Sequence, residues 1–193
     1  MSALPKSIYN AEEYLALEES ADYRSQFYYG EIFAMAGASR RHNTVAMNTA
    51  SNLHFQLRTR PCEIYQNDMR VKVFTDFYTY PDIVIVCGEP QIEKKHGENL
   101  LNPLVIIEVL SPSTEKFDRG EKARLYRLMP SLEEYVLISQ DKTHVEHFVR
   151  QANGGWLLTE LSEMSDVLEL PTVSCEINLS DIYAKVDFSA EIT

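Results

Sequence analysis

The chain has 193 residues, 45% of them apolar and 24% charged, with seven glycines and eight prolines. That composition supports one domain with a sizeable core, and it excludes a disordered tail, a collagen-like fibre and a small disulfide scaffold. A formal net charge of -11 argues against a protein that coats nucleic acid without specificity, because a phosphate backbone repels it.

The acidity is uneven. Residues 1–132 carry 15 Lys/Arg against 17 Asp/Glu, and residues 133–193 carry 3 against 12. Two stretches are locally basic. Positions 36–73 hold Arg40, Arg41, Arg58, Arg60, Arg70 and Lys72, and positions 116–127 hold Lys116, Arg119, Lys122, Arg124 and Arg127. Either reading, solvated surface or anion-binding strip, stands at this level. Cys62, Cys87 and Cys175 are far apart and odd in number. Cys62 and Cys87 read as small core residues, which suits a reducing, cytoplasmic setting. Residues 1–6 lack a signal-peptide apolar stretch, and the longest apolar runs are too short to span a bilayer.

In chain order, Asn10 followed by Glu13 predicts a capped helix with Tyr14, Leu15 and Leu17 on its apolar side. Gln26 to Met35 reads as a hairpin around Tyr29-Gly30. A second helix is expected over Ser39–Leu57, with Val45, Ala46, Ala50, Leu53 and Leu57 at helical spacing. Glu63 to Phe74 alternates as one strand, with Met69, Val71 and Val73 on one face and Arg70 and Lys72 on the other. Pro81 opens Asp82 to Cys87, apolar on both faces and hence central. Pro90 to Asn102 is a polar excursion, and Pro103 opens a second buried strand, Leu104 to Leu110. A third helix is predicted from Asp118 to Leu128, with Asp118 as cap and Glu121 at the capping-box position. Tyr135 to Ile138 is a further buried strand. Val145 to Val149, a Gly154-Gly155 turn, Trp156 to Leu161 and a last helix from Ser180 complete the chain. The sum is an α/β domain over 1–193, its core about 10–185: a mixed sheet covered by helices, with C-terminal antiparallel strands.

Two carboxylates stand out. Asp82 starts an apolar strand and Glu108 lies inside one. A buried charge needs a partner, since desolvation costs several kcal/mol. Glu108 fits a divalent-metal site or an ion pair with Arg70 or Lys72; Asp82 fits a metal site or a strand cap. Asp118, Lys122 and Tyr126 fall at i, i+4 and i+8, near one face of the third helix. Lys122 would hold a phosphate, polarise a water, or simply pair with Asp118. Glu31, just past Gly30, points into a cleft or into solvent. His42, beside Arg40 and Arg41, would contact phosphate or serve as an ordinary helix-start residue. His144 and His147 fall on opposite faces of a strand and make poor co-ligands.

Pro81-Asp82, with Glu108 on the next apolar strand, resembles the PD-(D/E)xK signature of the restriction-endonuclease-like superfamily. More specifically, the chain resembles the Uma-type restriction endonuclease family of bacterial proteins. The resemblance rests on Tyr29-Gly30-Glu31-Ile32, on Met35 to Ser39 with His42-Asn43, and on Asp68-Met69-Arg70-Val71. It continues through Tyr80 to Val84, Ile107 to Thr114, Asp118 to Lys122 with Tyr126, and Pro130 to Tyr135. It implies a restriction-endonuclease-like mixed sheet and a metal-dependent endonuclease acting on nucleic-acid phosphodiesters, with DNA as substrate. Asp82 and Glu108 would be the metal-binding acids, and the main-chain carbonyl of Val109 a further ligand for Mg2+ or Mn2+. Leu110 stands where the superfamily places its lysine, so that role passes to Lys122; Glu31 would be an additional acid. A homodimer would gather the basic strips into one cleft. The alternative is a nuclease-fold binding or assembly module without catalysis.

Overall fold

The structure is a computed structural model, described here for residues 8–35 and 37–189; the N-terminal stretch read for a signal peptide lies outside them. The first helix, α1 (Ala11–Ser20), starts as its sequence requires. The Asn10 side chain accepts from the Glu13 amide, and Glu13 accepts from the Asn10 amide, which satisfies two donors the helix leaves open. Tyr14 and Leu15 are buried, but Leu17 is exposed. The third inward position is Glu18, whose carboxylate accepts from the amide and hydroxyl of Ser25.

Strands β1 (Ser25–Tyr28) and β2 (Glu31–Ala34) form the expected hairpin. Tyr29 and Gly30 both have positive φ, 45° and 87°, the two-residue turn whose twist matches paired strands. The φ of Gly30 strains any L side chain, and a Cβ there would also crowd Ile8 Cγ2 at 2.7 Å, so glycine is favoured. Helix α2 (Arg40–Leu57) is capped by Ser39, and all five apolar positions picked out by spacing are buried.

The predicted single strand over 63–74 is two strands, β3 (Cys62–Gln66) and β4 (Arg70–Phe74), and they belong to different sheets. The break is at Asn67, a positive-φ residue (61°). Alternation survives a turn of this length, so periodicity alone does not expose the break. Arg70 is buried, bonded to Asn99, Tyr80 and the His96 carbonyl. The polar excursion after Pro90 contains two strands, β7 (Ile92–Lys94) and β8 (Glu98–Leu100). Their polar side chains are spent on neighbours: Lys72 pairs with Glu93 at 2.5 Å, and Asn99 bonds the Glu93 and Lys95 carbonyls.

The central sheet is mixed. Its six strands run in the order β12 (Trp156–Leu161), β11 (Val145–Arg150), β10 (Glu134–Ser139), β9 (Val105–Leu110), β6 (Ile83–Cys87), β3. Only β9 and β10 are parallel. One face packs on α2, the hairpin β13 (Val167–Leu170)–β14 (Cys175–Asn178) and the last helix, Leu179–Ile182. The other face packs on the helical segment 115–126 and on a second six-stranded sheet, β2-β1-β5-β4-β8-β7, where β5 is Phe77–Thr79. With both faces covered, β6 and β9 are apolar throughout, and Glu108 is the exception that has to be explained.

Cys62 and Cys87 face each other across β3 and β6 and form a disulfide. They are not the free core thiols expected from their apolar surroundings, and the cysteine content therefore carries no argument for a reducing compartment. Cys175 is free and buried. Among the described residues, no helix is long and apolar enough to cross a membrane.

Candidate active site

Glu108 projects from the middle of β9 toward the helical segment 115–126, on the same sheet face as Ile106 and Leu110. It is 4% exposed. That segment is not the regular helix predicted. It begins at Glu115, and a π turn at Asp118–Lys122 joins Glu115–Phe117 to Ala123–Tyr126. Asp118 is therefore inside the helix, not its cap, and Lys122 lies beyond its first turn. Such π turns recur at functional sites.

The i, i+4, i+8 face is nevertheless real, and it closes on Glu108. Lys122 Nζ is 2.7 Å from Glu108 Oε1 and 3.1 Å from Asp118 Oδ1. The Tyr126 hydroxyl donates to Glu108 Oε1 at 2.9 Å. Glu108 has its cation, but from Lys122; Arg70 and Lys72 are engaged elsewhere. Lys122 is itself only 5% exposed. Burial works against its charge, and Glu108 and Asp118 outweigh burial, so its pKa is raised and it stays an ammonium. Burial pushes the Glu108 carboxyl upward; Lys122 opposes this, while Asp118 and Asp82 add to it. Burial, then the nearby Glu108 carboxylate, raise Tyr126 as well, so its hydroxyl remains a donor.

Asp82, at the entrance to β6, reaches across to β9. Its Oδ2 accepts from the Val109 amide at 2.7 Å. It is also 3.2 Å from His42 Nε2. Asp82 thus reaches the residue that follows Glu108, while Glu108 reaches Lys122. His42 sits in the first turn of α2, its amide fixed by the Ser39 hydroxyl at 3.0 Å. Burial disfavours its charged form, but Asp82, Glu108 and the Val109 backbone outweigh that and raise its pKa. The sequence marked His42 as a neighbour of two arginines and as part of a stretch that carries the family resemblance. Its position three residues after a helix-capping serine was a further signal.

Glu31 occupies the first position of β2, half-buried and opposite Tyr28. Leu110 is buried in the apolar cluster with Ala123 and Leu125, so the lysine role cannot come from β9.

The donor chemistry suits a hard divalent cation. Both Asp82 contacts fall on Oδ2, and both Glu108 contacts fall on Oε1, which leaves one oxygen of each carboxylate outside them. Three acids, Asp82, Glu108 and Asp118, face one lysine and one histidine. The set is not drawn tight. Among the described residues, the only three His or acid donors mutually within 4.8 Å are His144, Glu146 and Glu160. Glu146 and Glu160 lie directly opposite on β11 and β12. Arg119 already pairs with Glu146, which offsets that like-charge contact.

An open cleft of about 560 Å3 is lined by Arg40, Asn43, Thr44, Met47 and Asn48 of α2 and by Gln66, Asn67 and Asp68. Asn67, one of its lining residues, donates its amide to the Asp82 carbonyl at 3.0 Å.

The chain is 40% identical over 155 residues to sll1609, an uncharacterized protein of Synechocystis sp. (strain ATCC 27184 / PCC 6803 / Kazusa). The match covers 80% of this chain and 88% of that one. A second uncharacterized protein of the same organism, slr1290, is 33% identical over 178 residues, 92% of each chain. A crystal structure described as a "putative nuclease belonging to DUF820" from Anabaena variabilis ATCC 29413 superposes with a TM-score of 0.76. It has 18% identity and covers 91% of this chain and 98% of that one; this likeness shows the fold. Residues 11–181 match the family Uma2, described as "Putative restriction endonuclease", and the chain belongs to that family.

Proposed function

We propose that the protein is a divalent-metal-dependent endonuclease that hydrolyses phosphodiester bonds of nucleic acid, with DNA as substrate. Asp82, Glu108 and the Val109 carbonyl hold Mg2+ or Mn2+, and Glu31 contributes from the hairpin. A bound divalent ion lowers the pKa of a water and neutralises charge on the phosphate. The chain's own part is geometric and electrostatic. Strands β6 and β9 fix the two acids on a rigid sheet. Tyr126 orients Glu108 through its hydroxyl. Lys122 keeps a full positive charge beside the site, available to the phosphate or to the attacking oxygen. The observation that carries this reading is the Glu108–Lys122 pair, buried between the central sheet and the helical segment 115–126.

Membership of the Uma2 family supports nuclease chemistry. A homodimer, pooling cations from two copies, would offset the acidic surface toward DNA, and a cytoplasmic location goes with that substrate. Quantifying the Cys62 and Cys87 thiols in freshly isolated protein checks the location, because a reducing compartment leaves them reduced. One observation favours a second reading, a nuclease-fold binding module without catalysis: the Lys122 ammonium is already shared between Glu108 and Asp118.

Plasmid and single-stranded DNA incubated with Mg2+ or Mn2+ distinguish the two. Cleavage by the wild type, abolished in Asp82→Ala, is the expected result. A rate unchanged in Asp82→Ala removes the site from the chemistry. Binding without cleavage selects the second reading.

A further inference from the structure

We infer that His42 is a nitrogen ligand of the same ion, and that the site therefore favours Mn2+ over Mg2+. This rests on the reading above that Asp82 holds a divalent cation. The geometry of the pair comes first. His42 Nε2 and Asp82 Oδ2 are 3.2 Å apart, close to the separation of about 3.0 Å between neighbouring ligand atoms on an octahedral ion with bonds near 2.1 Å. Asp82 and His42 already stand at that spacing. Glu108, bound to Lys122 and Tyr126, is the donor outside the 4.8 Å reach.

The ring's surroundings come second. Among the described residues, His42 Nδ1 is the buried histidine nitrogen with no hydrogen-bond partner. His96, by contrast, uses both ring nitrogens, on Glu19 and Glu12. His42 keeps Nδ1 unspent while Nε2 meets Asp82. The backbone is not at liberty: Ser39 caps α2 through the His42 amide and is itself bonded to Gln140 at 2.5 Å. The imidazole is thus presented to Asp82 by a fixed helix start.

The preference between these two ions follows from ligand chemistry. Mg2+ keeps to oxygen ligands, whereas Mn2+, though the weakest binder of the first-row series, also accepts an imidazole nitrogen. Removing the ring leaves the oxygen donors and should penalise Mn2+ far more than Mg2+.

Titration of the full chain with Mn2+, read as loss of the free-ion spin-resonance signal, and with Mg2+ by calorimetry tests this without an activity assay. The wild type is expected to bind Mn2+ more tightly. His42→Ala and His42→Gln are each expected to lose about tenfold or more in Mn2+ affinity, with Mg2+ affinity nearly unchanged. Mn2+ on the wild type should also show nitrogen hyperfine coupling in spin-echo spectra, a readout that needs no variant to fold. Equal losses for both metals, or absent nitrogen coupling, would overturn the assignment of His42 while leaving the acid site standing. Failure of either metal to bind, with Asp82→Asn indistinguishable from wild type, would overturn the acid site and His42 with it.

Discussion

Lys122 sets the charge balance of the buried cluster. Its ammonium serves Glu108 and Asp118 at once, and removing one member of a buried ion pair leaves the others uncompensated. Lys122→Met is expected to cost about 3 to 5 kcal/mol of folding stability, measured by denaturant unfolding. Glu108→Gln behaves in the opposite sense. The carboxyl is already pushed toward its neutral form by burial, and an amide can still accept from Tyr126. That variant is expected to fold as well as wild type, within about 1 kcal/mol, yet lose DNA cleavage. A wild-type melting temperature for Lys122→Met, or full cleavage by Glu108→Gln, contradicts the arrangement. These roles were half legible in the sequence. A glutamate between Ile107 and Val109 announced an unusual demand, but not which cation answers it, because Lys122 arrives from a different element.

At the scale of elements, the π turn and the cross-sheet clamps do the positioning. Residues 118, 122 and 126 share a face in any helix of this pitch, so their convergence was readable from spacing. The start of that helix was not, since Asp118 looks like a cap in sequence and is instead drawn inward by Lys122. A second clamp joins α1 to the turn between β7 and β8: His96 Nδ1 is 2.7 Å from Glu19, and Nε2 is 3.0 Å from Glu12. Hydrogen bonding to Glu19, then to Glu12, raises the His96 pKa above its ordinary 6.5. The clamp's contribution is therefore complete below the unfolded-state pKa and disappears as pH rises through the raised folded-state value. Wild type should lose its melting-temperature advantage over His96→Gln as the pH rises past the ordinary histidine value of about 6.5. An advantage that grows with pH would show that the contacts do not depend on the charged ring.

For the whole molecule, much of the basic sequence is spent internally. Arg60 donates to the Val173 and Ser174 carbonyls, Arg70 is buried, Lys72 holds Glu93, and Arg124 holds Glu121. The two basic strips are largely structural, and any DNA surface must be sought around Arg40 and the cleft it lines. The disulfide ties the edge strand β3 to β6, whose first residue follows Asp82. Closing a loop of that length stabilises by about 3 kcal/mol. Reduction, or Cys62→Ser with Cys87→Ser, is expected to lower the melting temperature by several degrees, about 2 to 4 °C per kcal/mol for a chain of this size. No change on reduction would show that sheet pairing alone holds β3.

Local order was determined by the sequence itself. The Asn10–Glu13 cap, the Tyr29-Gly30 turn, the buried stripe of α2 and the apolar strands β6 and β9 depend on neighbours a few residues apart, and periodicity reports such neighbours. Tertiary structure decided what depends on distant ones: the split of 62–74 between two sheets, the hidden strands after Pro90, the Cys62–Cys87 pairing and the meeting of His42 with Asp82. The physical reason is that a side chain's partner across a sheet is fixed by strand order and register. Both emerge only when the separate apolar faces are buried together.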